Sequence, residues 1–519
     1  MKRIGFKLKE WASAGNFASW KYVCFDSRSE VFILGYARAV TACTIEVQNR
    51  IPSERFRATI AVPESRTIRD PIHRFIKLNE QETEIIDSEA FQRLRNLRQL
   101  AFAYLVYPGA THTRFEHSLG VCHVAGLLAR KLGFDEDQTK LVRLAALLHD
   151  LGHGPFSHVS EEALERYSDR EKLPPKTHKI HELITTILIR EDPQIARSLA
   201  QNDRERIVNA LGPGHGEPIL KNVLSGPLDA DKQDYLLRDS YYCGVQYGMF
   251  DLPQLHEVLC NIADPAGDRT LMIEPGGVHT LEQFVLAKYY ITTQVVRHRI
   301  RLITDQMLIR AIILGVEEDQ IDELRALYAF DGSFDFIKRY AAWGDTRLLQ
   351  AFSSEQFEGK LGHFLFSGLL RRRLLKLVFR KPVIQFSPDA REALSAISKP
   401  KNADKRRHIE KLLLEEIQKH AKVVTTPGTD PSHFVIVHGY TLKSVKEEAR
   451  NDEASILVNE TPPILFESAS VLFNSINEKL SETFVEVYAP VEYQTPAERR
   501  SLKNKLSAPI AAILEGASQ

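Results

Sequence analysis

From about residue 66 onward, apolar side chains recur at three- and four-residue spacings, and that period predicts a mainly α protein. Ser88 precedes a run rich in Leu, Arg and Gln, so 91–104 reads as a capped amphipathic helix. Across 116–132, Leu119, Val121, Val124, Leu127 and Leu128 fall at helical spacings. Over 138–151 the stripe is Leu141, Leu144, Ala145 and Leu148, and it stops at Gly152. Further helices are expected at 180–191, 194–210, 229–240, 252–262, 279–316 and 317–328. The two ends differ. Segments 30–38 and 44–47 are β-branched and aromatic, which predicts a small, partly β appendage over 1–64. The helical pattern runs on through 335–400. Beyond the charged segment 399–407, strands are expected at 434–437, 454–457 and 484–488, with a helix near 466–481. The expected organisation is an appendage (1–64), a helical domain (65–330), and a region that is helical and then α+β (331–519).

Composition narrows the class. A chain of 519 residues, 43% hydrophobic and 26% charged, buries a sizeable core with ease. Lys+Arg and Asp+Glu both number 68, so no global charge draws it to nucleic acid or an anionic membrane. The basic stretches 371–381 and 399–411 read as solvated helix faces rather than as a single-strand site. The five cysteines are scattered without a CxxC pair, which argues against thiolate zinc sites and a disulfide framework. No run of about 18 apolar residues occurs, so neither a signal peptide nor a membrane span is expected. An intracellular, cytoplasmic protein is the expectation.

Three segments concentrate metal-capable side chains. They are Arg114-Phe-Glu-His117-Ser-Leu-Gly120, His149-Asp150-Leu-Gly-His153-Gly-Pro-Phe-Ser-His158, and Leu228-Asp-Ala-Asp231-Lys232-Gln-Asp-Tyr235-Leu-Leu-Arg-Asp239. His149 and Asp150 sit where an apolar helix ends, and both can reach a cation lodged between helices. Imidazole with carboxylate suits a divalent ion: Mn, Fe, Co, Ni or Zn, with Mg also allowed. Two His and two Asp leave coordination positions for water and a phosphate oxygen, which marks a catalytic site rather than a closed structural one. A histidine–aspartate pair alone is a weak signal. Gly152, Gly154 and Pro155 strengthen it, because the tight turn they form returns His153 and His158 toward the same region. In the third segment, Asp231, Tyr235 and Asp239 at i, i+4 and i+8 are expected to share a helix face bordered by Lys232. That wall offers an acid for a metal, a phenol and an ammonium for phosphate, and an acid for a sugar hydroxyl.

These segments resemble the HD superfamily, and within it the branch of deoxynucleoside triphosphate triphosphohydrolases. The resemblance runs from about Arg66 to 320 and continues more weakly to Tyr488. Its most specific stretches are Pro108–Val121 and His149–His158. It implies an HD-type helical core and a metal held by His117, His149, Asp150 and Asp231. It implies phosphate binding or acid–base work for His153, His158, His181 and Glu182. Substrate contacts then fall on Gln99, Leu100, Arg114, Lys232, Tyr235 and Asp239. An effector nucleotide in the animal members, which assemble as oligomers, would match Asp87, Gln92 and Arg95. A homo-oligomer, dimer or tetramer, is the corresponding expectation. Two departures stand out. Val296 occupies a position where the branch often carries an aromatic residue against the sugar, and no sterile alpha motif is legible in 1–64.

The leading expectation is hydrolysis of dNTPs, dGTP foremost, to a deoxynucleoside and inorganic triphosphate. The alternatives are an HD nucleotidase or phosphodiesterase acting on monophosphates or single-stranded oligonucleotides, and a nucleotide-sensing or nucleic-acid-binding protein. Retention of the whole ligand set weighs against the last.

Overall fold

The computed structural model describes residues 66–174, 179–212, 218–263, 269–399, 402–445, 447, 456–475 and 482–518, and the backbone of 22–25 and 31–34 before them. The chain divides into two compact units, Met1–Glu64 and Ser65–Gln519. In the first, Tyr22–Phe25 and Val31–Leu34 pair as an antiparallel hairpin with Tyr22 opposite Leu34. The strand expected at 30–38 is described at 31–34; the one expected at 44–47 lies outside the described residues.

The second unit is mainly α. Seven of its helices bear on the site: α1 (Arg114–Lys131), α2 (Glu136–Leu148), α3 (His158–Tyr167), α4 (Ile180–Glu191), α5 (Ala230–Cys243), α6 (Arg299–Glu317) and α7 (Asp345–Phe352). Helix α1 is buried on most sides and packs between α2 and α5. Each starts from a local signal. Thr113 and Glu116 form a capping box at α1, Asp135 and Gln138 at α2, and the Asp229 carboxylate accepts from the Lys232 amide at α5.

Four expected helices are interrupted, two of them where tertiary pairing outcompetes propensity. Residues 91–104 do not form one helix. A single turn at Glu89–Gln92 gives way to a 3-10 turn at Arg93–Asn96. The backbone then extends, because Arg98 bridges Thr113 and the Gln99 amide donates to the His112 carbonyl at 3.0 Å. Residues 252–262 are helical only to Val258. Leu259–Ala263 is a strand antiparallel to Arg269–Ile273. The long helix over 279–316 contains a π-helical segment, Ile291–Val296, in which the Thr293 hydroxyl bonds back to the Tyr289 carbonyl at 2.9 Å. The helix over 194–210 divides at Leu199, where the backbone is extended.

Toward the C-terminus, Glu482–Ala489 is the middle strand of an antiparallel sheet, between Lys376–Pro382 and Ile436–Leu442. Helices Ala403–Gln418 and Pro496–Glu515 contribute to a second apolar cluster that includes Val378, Leu413, Val437, Val485 and Leu506. The helix expected near 466–481 appears as two short turns, Phe466–Ala469 and Val471–Ser475; 476–481 lie outside the described residues. A buried ion pair, Arg310 on α6 with Glu410 at 2.6 Å, ties the helical core to this region.

A buried polar network lies between α1 and α5. Arg238 is wholly buried, and its guanidinium reaches both oxygens of Asp234 at 2.8 and 2.9 Å and Asp70 at 2.8 Å. Gly120 makes room for it: a Cβ there would stand 1.9 Å from Asp234 Oδ1. Breaking one partner out of such a network leaves buried charge uncompensated, at about 3–5 kcal/mol. Arg238→Met should therefore lose stability on that scale in denaturant titrations. Burial pushes the Asp234 carboxyl up, but Arg238, His117 and His73 outweigh it and hold the group well below the usual carboxylate range. A depressed acid stabilises above its unfolded value of about 3.9 and loses that contribution as pH falls through the folded value. Acid unfolding should accordingly steepen below about pH 4, and should do so less in an Asp234→Asn variant.

Candidate active site

His117 lies one turn into α1, buried, where its ring is held from one side. The Asp234 carboxylate can only accept, so His117 Nδ1 donates to it at 2.9 Å and Nε2 is the nitrogen left for a cation. A cation there must displace a proton, because burial pushes the imidazole down but Asp231 and Asp234 outweigh it and push it up to about 10. His149 reaches the same orientation by another route. As the residue that ends α2, it donates from Nδ1 to the Ala146 carbonyl at 2.7 Å, which again leaves Nε2 open. Both Nε2 atoms are buried without a hydrogen bond. Asp150 follows directly, and donor atoms of His117, His149 and Asp150 all lie within 4.8 Å of one another. Asp231, at the start of α5, brings Oδ1 to 3.0 Å from His117 Nε2, off hydrogen-bonding geometry. Two orphaned imidazole nitrogens facing carboxylates fit a divalent cation with nitrogen and oxygen ligands.

Asp150 is anchored as well. Arg114 Nη1 pairs with its Oδ2, and Arg114 Nε donates to Ser157 Oγ at 2.8 Å. Burial pushes the Asp150 carboxyl up; Arg114, His149 and His153 outweigh it and hold the group well below the usual range. The carboxylate thus stays ionised, as a ligand must.

The turn after Asp150 carries the next histidines. Gly154 passes directly under Tyr340, where a Cβ would stand 1.7 Å from the hydroxyl. Phe156 and Ser157 both have positive φ, +58° and +49°, a strained backbone that costs on the order of 1–3 kcal/mol for a residue with a side chain. His153 Nε2 comes to 3.3 Å from Asp150 Oδ1, and its ring stacks on His181 at 4.1 Å. His158 opens α3 and is exposed toward the pocket.

His149, Asp150, His153, His158, His181 and Asp231 line one cavity of about 850 Å³, with Gln99, Arg114, Lys232 and Tyr235 on its walls; His117 stands behind that lining. The carboxylate partner of His181 is Glu161, at 2.7 Å, whereas Glu182 pairs with Lys179 at 2.9 Å. Lys232 contacts Asp229 and the Gly226 carbonyl.

Two of the expected contacts point elsewhere. Asp239 is buried and bonded to His112 Nε2 at 2.8 Å, and is not on the cavity wall. The reason is helical geometry: eight residues rotate about 80° and rise about 12 Å from Asp231, while Tyr235 at i+4 stays on its stripe. Leu100 is likewise in the core, and its carbonyl accepts from Arg301 at 2.7 Å. The expected effector residues form a local cluster. Gln92 Nε2 donates to the Ile86 carbonyl, Arg95 Nε donates to Gln92 Oε1, and exposed Asp87 faces Arg66 at 3.3 Å. Arg95 also covers the Phe115 ring at 3.5 Å and borders a separate cleft with Arg98 and Arg347.

The sequence reading passed over Asp234, Arg238 and Glu161. The i, i+4 spacing of Asp234 and Arg238 was the available signal; nothing local marked Glu161 as the partner of a histidine twenty residues away. Replacing His149 and Asp150 together by alanine should abolish stoichiometric metal in elemental analysis of the purified protein. His158→Ala, outside the donor group, should retain it.

The comparisons with known proteins agree with this geometry. The HD domain model matches residues 114–236, the segment that holds every donor above. The chain is 38% identical over 257 residues to the uncharacterised protein MJ1154 of Methanocaldococcus jannaschii, covering 50% of this chain and 51% of that one. It is 31% identical over 389 residues to the uncharacterised protein YwfO of Bacillus subtilis, covering 72% and 79%. Against the Homo sapiens protein named deoxynucleoside triphosphate triphosphohydrolase SAMHD1 it is 28% identical over 356 residues, covering 62% and 56%. The chain thus spans little more than half the length of the first and the last of these. With this extent of likeness and a metal-competent His-His-Asp group between its helices, the chain belongs to the HD-domain family.

Proposed function

We propose that the protein is a metal-dependent phosphohydrolase acting on dNTPs, with dGTP favoured, and that it releases a deoxynucleoside and inorganic triphosphate in one step. The observation that carries the reading is one cavity of about 850 Å³ in which the histidine–carboxylate group adjoins Gln99, Arg114, Lys232 and Tyr235. The relative named deoxynucleoside triphosphate triphosphohydrolase supports the substrate class.

In this reading His117, His149, Asp150 and Asp231 hold the cation. When bound, a divalent metal supplies Lewis acidity at a phosphate oxygen and lowers the pKa of a coordinated water. The chain's own residues do the rest. Asp234 fixes the His117 ring so that Nε2 faces inward. Arg114 and Lys232 set positive charge beside the phosphates; the guanidinium suits bidentate contact and the ammonium acts as a point charge. His158 faces the cavity, where burial, Arg114 and Arg301 push its imidazole down to about 3; it delivers a proton to the leaving oxygen only once the phosphates' negative charge offsets those groups. Glu161 orients His181, and His181 in turn stacks on His153, so both rings are held against the phosphate path. Gln99 and Tyr235 offer polar contacts to the sugar. Val296 is not on the cavity wall and supplies no aromatic face there. The dimer or tetramer that the family resemblance implies belongs to the same proposal.

The deciding assay offers four dNTPs and four NTPs with Mn, Mg, Fe or Co, with and without a second nucleotide. Deoxynucleoside and triphosphate should appear together, without a diphosphate or monophosphate intermediate. Inertness toward every triphosphate, with cleavage of a monophosphate or a single strand, would favour the nucleotidase or phosphodiesterase alternative instead.

A further inference from the structure

The turn that carries His153 and His158 is tied down by a residue far from it in sequence. Asp345 opens α7, and its side chain is almost wholly buried. Both carboxylate oxygens are spent on backbone amides from separate segments. The Phe156 amide donates to Oδ1 at 2.8 Å, and the Arg98 amide donates to Oδ2 at 2.9 Å. Arg98 immediately precedes Gln99, on the cavity wall, and Phe156 lies between the two histidines.

The amide that Asp345 grips is also the strained one. Phe156 and Ser157 are consecutive residues of positive φ, and such backbone persists only where the surroundings over-determine it. Arg93 holds the first half of the turn through the Leu151 and His153 carbonyls, each at 2.7 Å, and does not reach the second half. There the restraints are Asp345 on the amide, the Phe156 ring stacked on Phe102 at 4.2 Å, and Arg114 on Ser157. No cation forms a salt bridge with Asp345 among the described residues. Burial raises its carboxyl to about 6, opposed by the two amides and by Arg98. A buried carboxyl in that setting is a poor packing element, but it can accept two converging N–H groups at once.

We propose that Asp345 is a positioning residue for hydrolysis: by joining the Phe156 amide to the Arg98 amide, it sets His153 and His158 at a fixed distance from Gln99, across the cavity in which the phosphates would lie. The catalytic consequence rests on the phosphohydrolase reading; the mechanical one does not.

Asp345→Asn keeps the shape but turns an amide NH₂ toward one of the two N–H donors. Asp319 provides a matched control, because its carboxylate likewise accepts from two backbone amides, those of Leu361 and Gly362, away from the cavity. Expected for Asp345→Asn is a kcat loss on the order of 10- to 100-fold, with KM and metal stoichiometry near wild type. Amide hydrogen exchange across 150–158 should accelerate. Asp319→Asn, at a half-buried carboxylate, should lower Tm by less while leaving kcat and that exchange unchanged. If Asp345→Asn fails to fold, Asp345→Ser, whose hydroxyl accepts from one amide in less volume, is read the same way. Turnover and exchange in the Asp345 variant no different from those of Asp319→Asn would overturn the proposal. Should the wild type hydrolyse no triphosphate, the functional reading fails by itself. Exchange across 150–158 then decides the positioning claim alone.

Discussion

One buried carboxylate organises the centre of this molecule. Asp234 receives Arg238, His73 and His117 together, and so joins α5 to the Arg66–Leu78 hairpin region and to α1. Ion pairs so deeply buried repay their desolvation only with full hydrogen bonding, and this one has it. Its structural consequence is that α1 must approach α5 at a glycine, Gly120. Its chemical consequence is the orientation of His117. With Nδ1 committed to Asp234, the ring can present only Nε2 to the Asp150 and Asp231 side. The metal-competent group therefore depends on an interaction that touches no metal.

A second region carries strain rather than charge. The segment from Asp150 to His158 bends through two non-glycine residues of positive φ and passes beneath Tyr340 at Gly154. Its restraints come from every side: Thr185 on the Gly152 amide, Arg93 on two carbonyls, Arg114 on Ser157, and Asp345 on Phe156. Holding a short loop this way loses little flexibility at the moment of reaction, because the ordering is already done in folding.

The two regions share α1. Arg114 at its first turn grips Asp150 and Ser157, and His117 one turn later is gripped by Asp234. Rotation of α1 would disturb both sets of contacts at once, which gives the capping box at Thr113 and Glu116 a role beyond helix initiation. The C-terminal sheet is shared between two apolar clusters: Leu377, Ile436 and Tyr488 pack into the main core, and Val378, Val437 and Val485 into the second, with Arg310 and Glu410 pairing nearby.

Much of this was legible in the chain itself. The three- and four-residue period determined the mainly α class and the extents of α1 and α4 within a few residues, while the meeting of His117 with His149 and Asp150 was implied by the resemblance of their local motifs to the HD superfamily. The HD resemblance was legible because its signature is local. What the chain alone did not determine was everything carried by contacts distant in sequence. The run 91–104 has helical propensity, yet Arg98 and Gln99 extend to pair with Thr113 and His112. Asp239 lies on the expected helix but has rotated off the Asp231 stripe, toward His112. Glu161 and Asp345 announce nothing in sequence, and Asp234 announces only its i, i+4 spacing to Arg238. Each gains its meaning only from partners 20, 189 and 117 residues away. Periodicity reports which face of an element is buried; only the tertiary structure decides what that face is buried against.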